Sequence, residues 1–328
     1  MKRMAYVQTI LFIFILGLPS LLMAAADYPA RPVTLIVPVA PGGSRDILAR
    51  AFASEAEKSL GQPVIVVNKP GATGMIGMQA GASAAPDGYT ITSTSTSDTC
   101  AIEWEIANGR KPPAQQKEFT NIVSLNMSPS LAVVPYDSPW KKLGDLANDA
   151  KAKPGHYAFC SGGLYGVSHM PAEILSKALG LKFRHVPYTG GGPCINALVG
   201  RHVDFATQFP SSSIPIAKGN KLRILAVQGD RRLKSIPDVP TVKELGIDAE
   251  WYQWVGISVP LKTPMAIVQK LREVAKKVVE SNAYVSVVEN LGDEVYYLIG
   301  DDMTKYWEIE TAKVKKIMES LAKEATKK

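Results

Sequence analysis

VTLIVPVAPGGSRDILARAFASEAEKSLG, residues 33–61, carries a strand, a glycine loop and a helix in one uninterrupted run. VTLIV is short, β-branched and apolar throughout, which suits a strand buried on both faces. Pro38 ends it, and the loop VAPGGSRD follows. Ile47, Leu48, Ala51, Phe52, Ala56 and Leu60 then recur at helical spacing until Gly61 closes the segment. The same unit repeats downstream. PVIVV (63–67) is a second buried strand, NKPGATGMIG leads into an Ala-rich helix, and 89–94 is a third strand. Strand, glycine loop and helix in alternation predict a parallel α/β sheet with short crossovers.

Residues 108–119, NGRKPPAQQKEF, are polar with a double proline and read as a surface connection. NIVSLNMSPSLAVVP (121–135) is a long extended run with a polar break at 126–130, able to cross between two lobes. A second α/β set follows, with helices at 143–153, 171–179 and 193–199 and strands at 157–159, 183–186, 203–207 and 222–227. Another extended run spans 251–259, and helices are predicted at 264–281, 283–291 and 302–323, the last amphipathic with a basic tail. The expected architecture is two α/β lobes joined by two extended crossings. Lobe 1 takes 27–128 plus 251–328, and lobe 2 takes 129–250. A cleft between such lobes is lined by strand ends and helix amino termini, whose unpaired N–H groups suit a carboxylate or another small anion.

The chain's 328 residues fit roughly two domains. With 46% hydrophobic and 20% charged residues, disorder, collagen and coiled coil are excluded for most of its length. The net charge of +7 is scattered rather than gathered into a basic patch with interleaved aromatics, so nucleic-acid binding is not expected. At the amino end Lys2 and Arg3 precede an apolar stretch over about 10–23, then Ala24, Ala25 and Ala26. This is the pattern of a secretory signal peptide over 1–26, cleaved near Ala26, and it predicts a soluble protein outside the cytoplasm. A membrane anchor is the competing reading, but the stretch is short for a span and is interrupted by Gly17 and Pro19. The three cysteines, Cys100, Cys160 and Cys194, include no CxxC pair. An exported chain could join Cys160 to Cys194, both in Gly-rich loops at strand ends. Three small buried thiols is the reading preferred from sequence.

Motifs for catalysis are missing. Gly166-Val167-Ser168-His169-Met170 lacks the closing glycine of GxSxG, and sequence neighbours such as Ser168 and His169 do not make a triad, so a secreted serine hydrolase is the remote alternative. Ser138-Pro139-Trp140-Lys141 fits SxxK but has neither SDN nor KTG beside it. The four histidines show no HExxH; His169 and Glu173, four apart, are too few ligands for zinc, and no metal is expected. Gly71-Ala72-Thr73-Gly74-Met75-Ile76-Gly77 is not GxGxxG, Walker A is absent, and no cofactor is expected. What remains is a set of donor-rich loops at strand ends: PVAPGGSRD (38–46), TSTSTSD (92–98), CSGGLYGVSH (160–169), YTGGGPC (188–194) and QFPSSS (208–213). Donors without a nucleophile activator fit capture of a polar or anionic small molecule better than its conversion.

YPARPVTLIVPVAPGGSRDILAR, LGQPVIVVNKPGATGMIG and APDGYT closely resemble the substrate-binding proteins of tripartite tricarboxylate transporters. FRHVPYTGGGPCINALVGRHVDF, KLRILAVQGDRR, IPDVPTVKELG and WVGISVPLKTP extend the resemblance from Tyr28 to the carboxyl end. It implies a type II periplasmic-binding fold of Venus-flytrap form, a periplasmic location, and a monomer. The implied role is to deliver a mono- or dicarboxylate, aromatic ones included, to an integral membrane permease; a co-receptor for a signalling sensor is the alternative. The resemblance places backbone groups of Ala40, Pro41, Gly42 and Gly43 near one carboxylate, ahead of Ser44. Thr94, Ser95 and Thr96 match a second contact loop. Ser161, Gly162, Gly163, Tyr165 and Ser168 match the loop that clamps ligand from the other lobe, with Thr189, Gly190, Gly191 and Gln208 as its neighbours. Three departures stand out. The clamp loop usually reads SAGNGSxSH and here reads SGGLYGVSH, with Tyr165 for a glycine and Gly166 for a serine, and Gln208 stands where an aspartate is usual. Tyr165 is expected to cover a ligand body and Gln208 to donate to oxygen, favouring an amine-free carboxylate.

Overall fold

The computed structural model describes residues 28–325, so the expected leader lies outside the described residues. Strands β1 (Val33–Val37), β2 (Val64–Asn68) and β3 (Thr90–Ser95) pair in parallel, linked by helices α1 (Ser44–Leu60) and α2 (Met75–Ala82). Helix α3 (Thr96–Ala107) follows β3 directly and leads to β4 (Phe119–Pro135). Helix α4 (Leu143–Ala152), β5 (Ala158–Ser161), α5 (Met170–Leu179), β6 (Arg184–Pro187), α6 (Gly191–Val199), β7 (Phe205–Gln208), α7 (Pro210–Lys218) and β8 (Leu222–Gln228) build the second half. The chain returns through β9 (Tyr252–Pro260) to α8 (Met265–Val279), α9 (Asn282–Asn290) and α10 (Asp301–Ala325).

The long strand β4 is what makes two lobes out of one curled sheet. Its residues 119–129 pair antiparallel with β9, which continues to β3, β1 and β2. Its residues 130–135 pair antiparallel with β7 and β8, and β7 continues in parallel to β5 and β6. The polar break expected within 121–135 falls where the strand passes from one half to the other. Each half has its own core: Leu35, Phe52, Val123, Ile257 and Tyr284 in the first, and Leu131, Val133, Phe159, Phe205 and Leu225 in the second. Fully burying such side chains contributes about 1.5–3 kcal/mol each. The fold is therefore two α/β lobes joined by the extended strands β4 and β9, as the alternation and the two long runs predicted.

Two helices differ from the sequence expectation. The Ser/Thr run at 92–98 was expected as a loop, yet β3 passes straight into α3. Ser95 accepts the N–H of Ser97, and Asp98 accepts the N–H of Ser95 at 2.8 Å, a capping box that satisfies donors a helix start leaves open. QFPSSS likewise opens α7, where Pro210 occupies the first turn and so forfeits no helical bond.

Helix α10 packs on α3 through a buried polar node. Glu310 accepts hydrogen bonds from Thr96 Oγ1 at 2.7 Å, Thr99 Oγ1 at 3.1 Å and Trp254 Nε1 at 2.7 Å. Burial outweighs these donors and pushes its carboxyl up to about 7. A carboxyl raised above its unfolded value is protonated in both states at low pH, and its stabilisation is lost as pH rises from the unfolded value through about 7. Glu310→Gln keeps the shape: its oxygen takes the two donors on Oε2, and its amide donates to Thr96 Oγ1. The expected result is a variant as stable as the parent near pH 4 and more stable by about 2–3 kcal/mol near pH 8. Thermal melts across that range check it, and a parallel pair of curves would sink it.

Candidate functional site

The carboxyl ends of the parallel strands in both halves face one cleft, and helices α1 and α6 start there. Gly43 precedes α1, and Gly190 precedes α6. The two starts nearly touch: a Cβ on Gly43 would lie 3.1 Å from Gly191 N and 3.2 Å from its Cα. Ala40 N–H donates to Thr189 O at 3.1 Å, and the hydroxyls of Ser44 and Ser211 share a bond of 2.6 Å. The lobes are thus closed on one another. Two helix amino termini, each with partial positive charge, converge on the same spot.

The first loop is organised by Asp46. Its carboxylate accepts the N–H of Gly42 at 3.0 Å, Asn68 Nδ2 at 2.8 Å and Arg50 Nε at 3.0 Å. Gly42 takes φ +88°, a conformation that favours glycine. The set of four backbone groups expected at 40–43 narrows accordingly. Ala40 N–H is spent on Thr189, Gly42 N–H is spent on Asp46, and Pro41 has none. The N–H groups of Gly43, Ser44 and Arg45, which find no acceptor among the described residues, are the donors left facing the cleft.

Arg45 is the principal residue that sequence reasoning missed. Its side chain is buried, 5% exposed, and forms a fork on Asp98, with Nη1 to Oδ1 at 2.8 Å and Nη2 to Oδ2 at 2.9 Å. It also donates to Ser93 Oγ at 3.2 Å and to Ser93 O. Burial pushes the Asp98 carboxyl up while Arg45 pulls it down. The cleft's arginine is therefore neutralised from within. Gln253 on β9, also missed, lines the cleft and donates to Ser44 Oγ at 3.0 Å.

Of the second loop, Ser95 lines the cleft, but Thr94 and Thr96 do not. Thr94 Oγ1 bonds Ser258 at 3.0 Å, and Thr96 Oγ1 is committed to Glu310 and to the N–H of Trp254.

In the clamp loop, Gly162 N–H donates to Ser168 Oγ at 2.8 Å, and both residues line the cleft. Ser161 instead donates to Gly163 O at 2.8 Å and meets His185 Nε2 at 2.7 Å, while Gly163 lies close to Thr73. Tyr165 does not line the cleft; its ring stacks on Trp104, centroids 3.6 Å apart. Val39, Val167 and Phe209 supply the cleft's apolar surface. Gly190, Gly191 and Gln208 also line it, with Gln208 Nε2 donating to Cys194 Sγ at 3.1 Å. Cys160 and Cys194 form a disulfide, with Cα atoms 5.5 Å apart, which corrects the preference for three thiols. It ties the end of β5 to the first turn of α6, and Cys100 is the free, buried thiol.

Ser168 and His169 do not form a catalytic pair. His169 Nδ1 accepts the N–H of Tyr165 at 2.7 Å, and Nε2 lies 3.2 Å from Glu173 Oε1, so neither nitrogen serves Ser168. The His169 and His185 rings stack at 3.9 Å, and burial, with His169 adding to it, pushes His185 down to about 4. Among the described residues no cluster of His, Cys, Asp or Glu could hold a metal ion, and no helix is long and apolar enough to cross a membrane.

Two closed lobes around a neutral, donor-rich cleft define a solute-binding protein. Residues 48–322 match the tripartite tricarboxylate transporter family receptor, and the chain belongs to that family. A UPF0065 protein of Cupriavidus necator is 35% identical over 313 residues, 93% of each chain. Among solved structures, MatC from Rhodopseudomonas palustris with bound malate is 26% identical, covers 89% of this chain and 100% of its own, and superposes with a TM-score of 0.81. An R. palustris protein with adipate is 26% identical, covers 90% and 98%, and has a TM-score of 0.84. Receptors rather than enzymes are what the family and these neighbours comprise.

Proposed function

We propose that this chain captures a short aliphatic dicarboxylate in the periplasm and hands it to a membrane permease of the tripartite tricarboxylate type. The observation that carries this reading is the convergence of the α1 and α6 amino termini on a cleft whose arginine is already paired with Asp98. An anion there is held by fixed neutral donors: the N–H groups of Gly43, Ser44 and Arg45 and the hydroxyls around them. Charge-assisted bonds to such donors are short and strong, so no free cation is required. The second carboxylate faces the lobe-2 loops, with Ser168, Gly191 and Gln208 at hand, and Val39, Val167 and Phe209 flank the methylenes between. The relatives solved with malate and adipate support the same ligand class.

Calorimetry with a panel of mono-, di- and tricarboxylates, an aromatic acid, amino acids and sugars tests the assignment. Micromolar, one-to-one binding of a four- to six-carbon diacid is expected. Binding of amino acids or sugars while every carboxylate fails would overturn it. Uptake of the bound acid in cells lacking the gene then tests delivery: unimpaired uptake, with loss of an acid-induced response instead, would assign the chain to sensing.

A further inference from the structure

Some of the contacts closing the cleft lie outside it. Trp104, on α3 in the first half, and Tyr165, in the clamp loop of the second, stack with centroids 3.6 Å apart and planes 25° apart. Beside them Thr73 Oγ1 donates to Leu164 O at 3.1 Å, also from one half to the other. Neither Trp104 nor Tyr165 lines the ligand cleft. The tyrosine holds a conformation with φ +53°, which a side chain other than glycine adopts only when its surroundings impose it. Two contacts impose it here. His169 Nδ1 takes the Tyr165 N–H at 2.7 Å, and the indole of Trp104 covers its ring.

We propose that Trp104 and Tyr165 form a latch that favours the closed state independently of ligand and limits how fast ligand leaves, with His169 as the residue that positions Tyr165. A contact present in the closed state and absent from the open one shifts the population towards closure whether or not the cleft is filled. For a bound molecule to escape, the stack must first come apart. Aromatic rings in contact carry interaction energy beyond their buried area, and the expected consequence of deleting this pair is about tenfold faster release with little change in association rate.

The latch rests on the solute-binding assignment, but its first readout needs no ligand. Small-angle scattering of the ligand-free protein is compared with that of Trp104→Ala and Tyr165→Gly, which remove the stack from opposite lobes. Glycine accepts the positive φ, so the second variant adds no strain. Tyr165→Phe keeps the ring and serves as the conservative control. Both deletion variants are expected to show a larger radius than wild type and Tyr165→Phe while still unfolding in a single cooperative transition. Stopped-flow release of the tightest diacid from the panel should accelerate about tenfold in both. Scattering curves that superimpose on wild type, or an expansion caused by one deletion and not the other, would overturn the latch. Expanded variants of a protein that binds no carboxylate would leave the latch standing and remove the proposed ligand instead.

Discussion

Gly43→Val is expected to fold with the wild-type melting temperature and to bind its diacid at least about a hundredfold more weakly, a loss of about 3 kcal/mol. The residue sits at φ −85°, where any side chain is tolerated, so the substitution strains nothing in its own loop. Its cost arises when the lobes meet. A Cβ there would approach Gly191 N at 3.1 Å, Gly191 Cα at 3.2 Å and Gly192 N at 3.3 Å, all backbone atoms of the opposing helix start. Backbone anchored in a helix cannot move aside as a flexible side chain can, and valine adds two methyl groups to the clash. The closed state is therefore penalised while the open state is not. Gly192 offers the reciprocal test from the other lobe, since a Cβ there would collide with the carbonyl of Pro41. Calorimetry and scattering with saturating diacid check both. Wild-type affinity in Gly43→Val would place the carboxylate and the closing contact elsewhere.

The architecture was legible because its signals are local. The β-branched runs, the glycine loops and the helical rhythm of 47–60 each fit within one element, and the long run 121–135 announced a strand longer than one lobe requires. The site was legible only in part. Strand periodicity carried more information than its Ser/Thr content: side chains along β3 alternate faces, so if Ser93 and Ser95 serve the cleft, Thr94 must serve the other side. That alternation could have separated them, whereas the donor-rich composition of 92–98 merged them and concealed the start of α3. Arg45 was not placeable by any local rule. Its acceptor Asp98 lies 53 residues away, and a long side chain beside a loop is buried or solvated according to such a partner. Tyr165 likewise packs on Trp104, which belongs to a helix whose start was concealed in a Ser/Thr run. The disulfide depended on β5 and α6 coming together, which no spacing between Cys160 and Cys194 reveals.

The buried Arg45–Asp98 pair should respond asymmetrically to loss of either partner. Asp98→Ala removes the two carboxylate oxygens that accept from the guanidinium, leaving it only Ser93, and with them the cap of α3 on the Ser95 N–H. Arg45 cannot shed its proton, so an unpaired charge stays buried, at a cost of about 3–5 kcal/mol. At roughly 2–4 °C per kcal/mol for chains somewhat smaller than this, the melting temperature should fall by about 10 °C. Arg45→Met leaves the carboxyl instead, and a carboxyl can neutralise itself. Burial already pushes Asp98 above its ordinary value with Arg45 present, and without the arginine it should rise further. Its folded form then prefers the proton, so Arg45→Met should lose least stability in acid and progressively more as pH rises, whereas the deficit of Asp98→Ala should narrow over the same range, because the wild type itself loses stability there as its raised Asp98 carboxyl ionises. The double variant Arg45→Met, Asp98→Ala buries no charge and should be more stable than Asp98→Ala alone, because the second substitution removes the orphaned cation. Melts of the four proteins across the acid-to-neutral range complete the cycle. A double variant no better than Asp98→Ala would show that the capping bond to Ser95, rather than the ion pair, is what holds α3 against the cleft.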